Sequence, residues 1–196
     1  MRAQSARFLV PFSVWLFLGS LGLVALAVCQ DINALRKFGV FPDVSDHVLR
    51  ALVVVQPSIL LVAGVGAGVA LGERVGLRSW VTARLRGDLP PLMQVSGLAL
   101  AALVDFGTGA VVVVLDRLSA PLIGVPSVAS LPDVGTAFMA ISYGGITEEL
   151  MLRYGLMTFL VWLGTNVWRA LPPGLYFGAL LVSAVLFGAG HLPAMA

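Results

Sequence analysis

Five ionisable side chains stand inside stretches that are otherwise apolar: Asp105, Glu148, Glu149, Arg153 and His191. Glu149 and Arg153 are four residues apart, so on a helix they share one face and can pair, with the acid in the favourable N-terminal position. Glu148 lies about 100° further round such a helix and is left without that partner. One carboxylate is thereby neutralised and the other is free for chemistry. A free carboxylate facing the imidazole of His191 can hold a water and take its proton. The same two groups could supply two ligands to a divalent metal such as zinc. Phe187 stands one turn before His191 and would shield that face of the ring. Plainer readings exist for each residue. Glu-Glu-x-x-x-Arg on a soluble helix is usually a solvated face, and a lone histidine is often just packed. Asp105 reads best as a structural polar bridge, and His47 as a solvated loop residue.

The elements that must carry these residues are apolar runs. Five are long enough to cross a bilayer, which takes about 20 residues. They cover 8–28, 51–71, 92–115, 136–163 and 175–194. Lipid offers no partner to backbone polar groups, so a span must be a helix or part of a closed barrel. These runs are continuous and do not alternate, which excludes barrel strands. The expected fold is therefore all-α: a polytopic transmembrane bundle of about five helices. Residues 1–135 hold the first three spans, and 136–196 hold the two that carry the ionisable motifs. A charge at a span centre costs about 2.5–3.5 kcal/mol, so three unpaired charges within six residues would cost roughly 8–10 kcal/mol. Such a helix needs a wet or polar interior to face. Glu148 sits near the middle of its run, and His191 is about equally far from the joint between the two helices. Both are about 23 Å from that joint at 1.5 Å per residue. As antiparallel neighbours they would meet at one depth.

Composition narrows the function classes. The chain has 196 residues, 59% of them hydrophobic and 11% charged, with mean hydropathy +0.97. A soluble domain carries about 25% charge, so a soluble enzyme and a disordered segment are excluded. The pI of 9.1 does not signal nucleic acid, because net charge is only +2 and the basic residues lie scattered in the joints between spans. Arginine outnumbers lysine eleven to one, the bias of a GC-rich bacterial genome. The single cysteine, Cys29, permits no intrachain disulfide. The first apolar run exceeds a signal-peptide core, so it reads as a membrane helix. With the N-terminus inside, the inner joints hold seven basic residues and the outer ones four. That balance favours a cytoplasmic N-terminus in a multi-pass protein of the cell membrane.

At the motif residues the chain resembles the CPBP family of intramembrane proteases, which includes type II CAAX prenyl endopeptidases and bacterial Abi, or bacteriocin-immunity, proteins. The resemblance rests on Glu148-Glu149-x-x-x-Arg153 and Phe187-x-x-x-His191, with flanking Gly145-Ile146-Thr147 and Leu192-Pro193. It covers about residues 140–193. It implies an intramembrane endopeptidase in which Glu148 activates a water and His191 orients it, with Glu149, Arg153 and Phe187 in support. It implies a peptide or membrane-protein substrate and no certain cofactor, a divalent metal being the open alternative. The family pattern continues with a later helix bearing His and, four residues on, Asn or Asp. The sequence ends at Ala196, so the expectation is a chain cut short of that last motif. Oxyanion donors are worth about 10²–10³ in rate, and without them a chain would be slow. Two other function classes compete. One is a non-catalytic membrane protein or fragment that binds a partner or confers immunity. The other is a transporter or proton-relay subunit using Asp105, Glu148 and His191. No His-Glu-x-x-His and no Gly-x-Ser-x-Gly is present, which removes the zincin and serine-hydrolase motifs.

Overall fold

The computed structural model describes residues 2–37, 44–88, 95–123, 133–168 and 171–191, and among them every regular element is helical. The first helix, α1 (Arg2–Cys29), continues through Pro11. A short α2 (Ile32–Lys37) leads to α3 (Asp46–Leu71). A 3₁₀ turn (Gly72–Val75) ends at Gly76, whose φ of +75° needs a residue without Cβ. The short α4 (Trp80–Leu85) follows, its first turn capped by the Ser79 hydroxyl, which accepts from the Thr82 amide. Helix α5 (Val95–Ile123) carries Asp105. The segment from α6 (Val134–Met139) to α7 (Thr158–Thr165) is one helical stretch, and α8 (Pro173–His191) opens on a proline, which suits a first helical position.

Among the described residues, four helical stretches are long and apolar enough to cross a membrane: Ser5–Cys29, Asp46–Val75, Ala99–Ser119 and Pro173–His191. The remaining expected span, 136–163, is helical but not a plain α-helix. It contains two π-helical segments, Ala140–Thr147 and Leu150–Met157, on either side of Glu148 and Glu149. Hydropathy is blind to a change from i→i+4 to i→i+5 bonding, so the sequence gives no sign of it. His47, expected in a loop, lies in the first turn of α3 and is exposed. Residues 92–94 of the third expected span, residues 124–132 of the joint after it, Arg169, and residues 192–194 including Pro193 lie outside the described residues.

The chain forms two compact units. One comprises Met1–Asp88 with Val134–Ala196, and the other is Leu89–Asp133, which contains α5 and Asp105. Within the first unit the segment from α6 to α7 is the hub. It packs on α1 through its first π segment, on α3 through its second, and on α8 through the second π segment and α7. Leu61, Val65, Val69 and Leu150 form one buried cluster, with Phe12 and Trp15 of α1 against it. Val75, Val161 and Ala179 form another, where α7 and α8 meet the turn after α3. Close approach depends on glycine. A Cβ on Gly64 would lie 3.0 Å from the Met151 Cα, and one on Gly155 would strike the backbone of Gly64. Small residues let membrane helices come into backbone contact in this way.

Two arginines fasten the ends. Arg50 donates to the carbonyls of Ala27, at 2.6 Å, and Val28, at 2.9 Å, satisfying the free end of α1. At the opposite end Arg86 pairs with Glu73 at 2.6 Å and donates to the carbonyls of Val69 and Arg7. Nearby, Trp15 Nε1 donates to Thr82 Oγ1 at 2.9 Å, and Thr82 Oγ1 lies 2.9 Å from the Tyr154 hydroxyl. These bonds lock α4 and the loop before it onto the hub.

Candidate active site

Glu148 is placed by a change of helical register. Its amide donates to the Tyr143 carbonyl, five residues back, closing the first π segment. The carboxylate then projects toward α8, with only 16% of its side chain exposed. His191 is the last described residue of α8. Its Nδ1 lies 2.9 Å from the Phe187 carbonyl oxygen. A carbonyl only accepts, so Nδ1 carries the proton, and in the neutral ring Nε2 keeps its lone pair. The Phe187 ring stands against the imidazole, centroids 4.3 Å apart and tilted by 57°.

Nε2 of His191 faces Oε1 of Glu148 at 3.8 Å. That is too long for a direct hydrogen bond. A water bonded to both at about 2.8 Å would span roughly 4.4 Å at its own bond angle, so sharing one needs the two side chains to part slightly. Glu148 lines a cavity of about 300 Å³ between the hub and α8, together with Gly144, Leu152, Ser183 and Phe187. Glu149 Oε2 pairs with Arg153 Nε at 3.3 Å, one turn apart, and both side chains are substantially exposed. These two line the same cavity and also a larger one of about 580 Å³ on the other flank, bounded by Trp15, Arg78 and Tyr154. The ion pair is thus the wall between two cavities. A third space of about 520 Å³, almost wholly apolar, lies between α7 and α8 away from these charges.

The geometry brings Glu148, His191 and Phe187 together and sets Glu149 and Arg153 beside them. Asp105 belongs to the other compact unit. Among the described residues no three of His, Cys, Asp or Glu gather as a metal set. Glu148 and His191 give two donors, whereas a catalytic zinc takes three protein ligands. The described donor set therefore does not fit a zinc. Sequence reasoning passed over Thr147, next to Glu148. It is fully buried and its hydroxyl donates to the Gly19 carbonyl of α1 at 2.7 Å. A hydroxyl beside a candidate base in an apolar run is the only trace it leaves in the sequence.

Residues 130–196 match the Rce1-like family model, type II CAAX prenyl endopeptidase Rce1-like. The matched segment holds Glu148, Glu149, Arg153, Phe187 and His191. The likeness to the CPBP intramembrane proteases thus covers the last third of the chain. It points to a protease kind of hydrolase, embedded in a membrane and acting on protein. Comparison with curated proteins and with solved structures returned no match.

Proposed function

We propose that this protein is an intramembrane endopeptidase in which Glu148 activates water and His191 orients it. The observation that carries the reading is the 3.8 Å facing of Glu148 Oε1 and His191 Nε2 beside a cavity of about 300 Å³. A water between them gives one proton to the carboxylate and directs the other at Nε2. As Glu148 takes the first proton, the oxygen bonds to the carbonyl carbon of a peptide. The tetrahedral intermediate collapses, the C–N bond breaks, and Glu148 returns the proton to the leaving amine. The tied Nδ1 keeps the imidazole in one tautomer throughout. Glu149 and Arg153 shape the cavity wall and offset each other's charge.

The substrate is a polypeptide reached within or at the surface of the cell membrane. The orientation with a cytoplasmic N-terminus is supported by the end of the bundle where Arg7, Arg74, Arg78, Arg84 and Arg86 accumulate. The packing of Val75 against Val161 and Ala179 sets the end of α7 and the start of α8 at that same end. The test is cleavage of membrane-protein substrates by the protein in proteoliposomes, comparing the parent with Glu148→Gln. Loss of cleavage with unchanged insertion is expected; parent-like cleavage by Glu148→Gln overturns the reading.

A further inference from the structure

We infer that Thr147 is a positioning residue whose hydroxyl pins the π register that aims Glu148 at His191; this rests on the peptidase reading of Glu148. The first π segment ends in a bond from the Glu148 amide to the Tyr143 carbonyl. If that segment tightened into an α-helix, the bond would move by one residue. Everything beyond it would turn about 100° relative to what precedes it. The Glu148 carboxylate would leave the cavity and His191 with it. Something must hold the wider turn, because π segments are rare and uncommon outside single turns.

Thr147 is the residue at that place. It is the last residue of the segment, is fully buried, and reaches across to α1. Its Oγ1 donates to the Gly19 carbonyl at 2.7 Å and lies 3.4 Å from the Ser142 carbonyl within its own segment. α1 is shaped to receive it: a Cβ on Gly22 would fall on Thr147 Oγ1 and on the Ser142 carbonyl. The hydroxyl therefore ties the rotation of the hub to α1 one residue before the carboxylate. Its partner is a backbone atom of a neighbouring helix, so the tether fixes position as well as direction. Thr147 touches neither the cavity nor His191 in this arrangement, and it acts only through Glu148.

The experiment compares Thr147→Val, which keeps shape and removes the hydroxyl, with Thr147→Ser, which keeps the hydroxyl. Gly22→Ala presses on the same contact from α1. Cleavage is measured as kcat and KM separately. For Thr147→Val and Gly22→Ala, kcat should fall about 10- to 100-fold, the size expected for an ångström of misplacement, with KM nearly unchanged. Thr147→Ser should restore most of the rate. A second readout needs no activity. In a Cys29→Ser background, Glu148→Cys and His191→Cys are bridged with dibromobimane, which fluoresces strongly only when both arms have reacted. Bridging should slow severalfold when Thr147→Val or Gly22→Ala is added and recover with Thr147→Ser. Unchanged kcat and unchanged bridging in either variant overturn the inference. If Glu148→Gln itself cleaves like the parent, the peptidase reading falls, and the bridging rates alone still decide whether Thr147 aims residue 148.

Discussion

Phe187 holds His191 twice: its carbonyl accepts from Nδ1 at 2.9 Å, and its ring packs on the imidazole at 4.3 Å. The two contacts differ in what a substitution can remove. The backbone bond survives any side-chain change, whereas the ring contact does not. Phe187→Leu should therefore keep the tautomer but loosen the ring. Aromatic contacts of this kind contribute about 0.5–1.5 kcal/mol, so kcat should fall up to about tenfold. Steady-state cleavage in proteoliposomes checks this; a Phe187→Leu protein without any residual rate would contradict a supporting role.

Glu148→Gln and His191→Ala should differ in degree. The first removes the proposed base, and general-base contributions run at about 10²–10⁴ in rate. On the proposed mechanism the second leaves the base but frees the water from one of its two anchors, so its loss should be the smaller. Single-turnover rates of the two variants, with insertion verified by protease protection, give the comparison. A larger loss for His191→Ala would mean that the imidazole, not the carboxylate, carries the proton.

The Glu149–Arg153 pair predicts a non-additive pattern. Removing one partner leaves a lone charge inside a span, which costs about 2.5–3.5 kcal/mol on insertion scales. Removing both leaves none. Glu149→Gln combined with Arg153→Gln should therefore insert better than either single variant. A glycosylation-mapping insertion assay reads this directly, and additive losses would show that the two charges do not depend on each other.

Gly64→Ala should destabilise the bundle strongly. The added methyl would meet the Met151 Cα at 3.0 Å and the Leu150 carbonyl at 3.1 Å, and backbone cannot swing aside as a side chain can. Overpacking of this kind costs about 1–3 kcal/mol. Thermal unfolding in detergent should show a clear fall in Tm. Gly66→Ala, where the nearest atom is a Phe12 ring carbon at 3.9 Å, serves as the tolerant control.

Arg86→Met should weaken the end where α4 docks. It removes the pairing with Glu73 and the bonds to two carbonyls, while the stem remains to fill space. Hydrogen bonds to charged groups contribute about 1.5–3 kcal/mol each. Early proteolysis in the 76–88 segment around α4, faster than in the parent, is the expected signature.

Much of this arrangement can be read from residue spacing. Long apolar runs mark α1, α3, α5 and α8, with ends shifted by several residues because hydropathy does not register caps or polar first turns. Glu149 and Arg153 meet because they are one turn apart, and Phe187 and His191 for the same reason. Glu148 and His191 meet because each is nearly the same number of residues from the α7–α8 joint, 17 before Thr165 and 18 after Pro173. The two π segments leave no mark in composition. The Thr147–Gly19 bond, the Trp15–Thr82–Tyr154 chain and the Arg86 fastening join residues far apart in sequence. Local periodicity carries no information on such pairs.

The wide turns flanking Glu148 and Glu149 also bear on how the protein is made. A segment with two carboxylates, an arginine and two stretches of π bonding is poorly suited to enter lipid unaccompanied. It fits once α1 offers the Gly19 carbonyl and the gap at Gly22, and α3 offers the bare backbone at Gly64. Both helices precede it in the chain and are synthesised earlier. The segment bearing the candidate base thus finds on the two N-terminal helices both the acceptor and the space that its wide turns need.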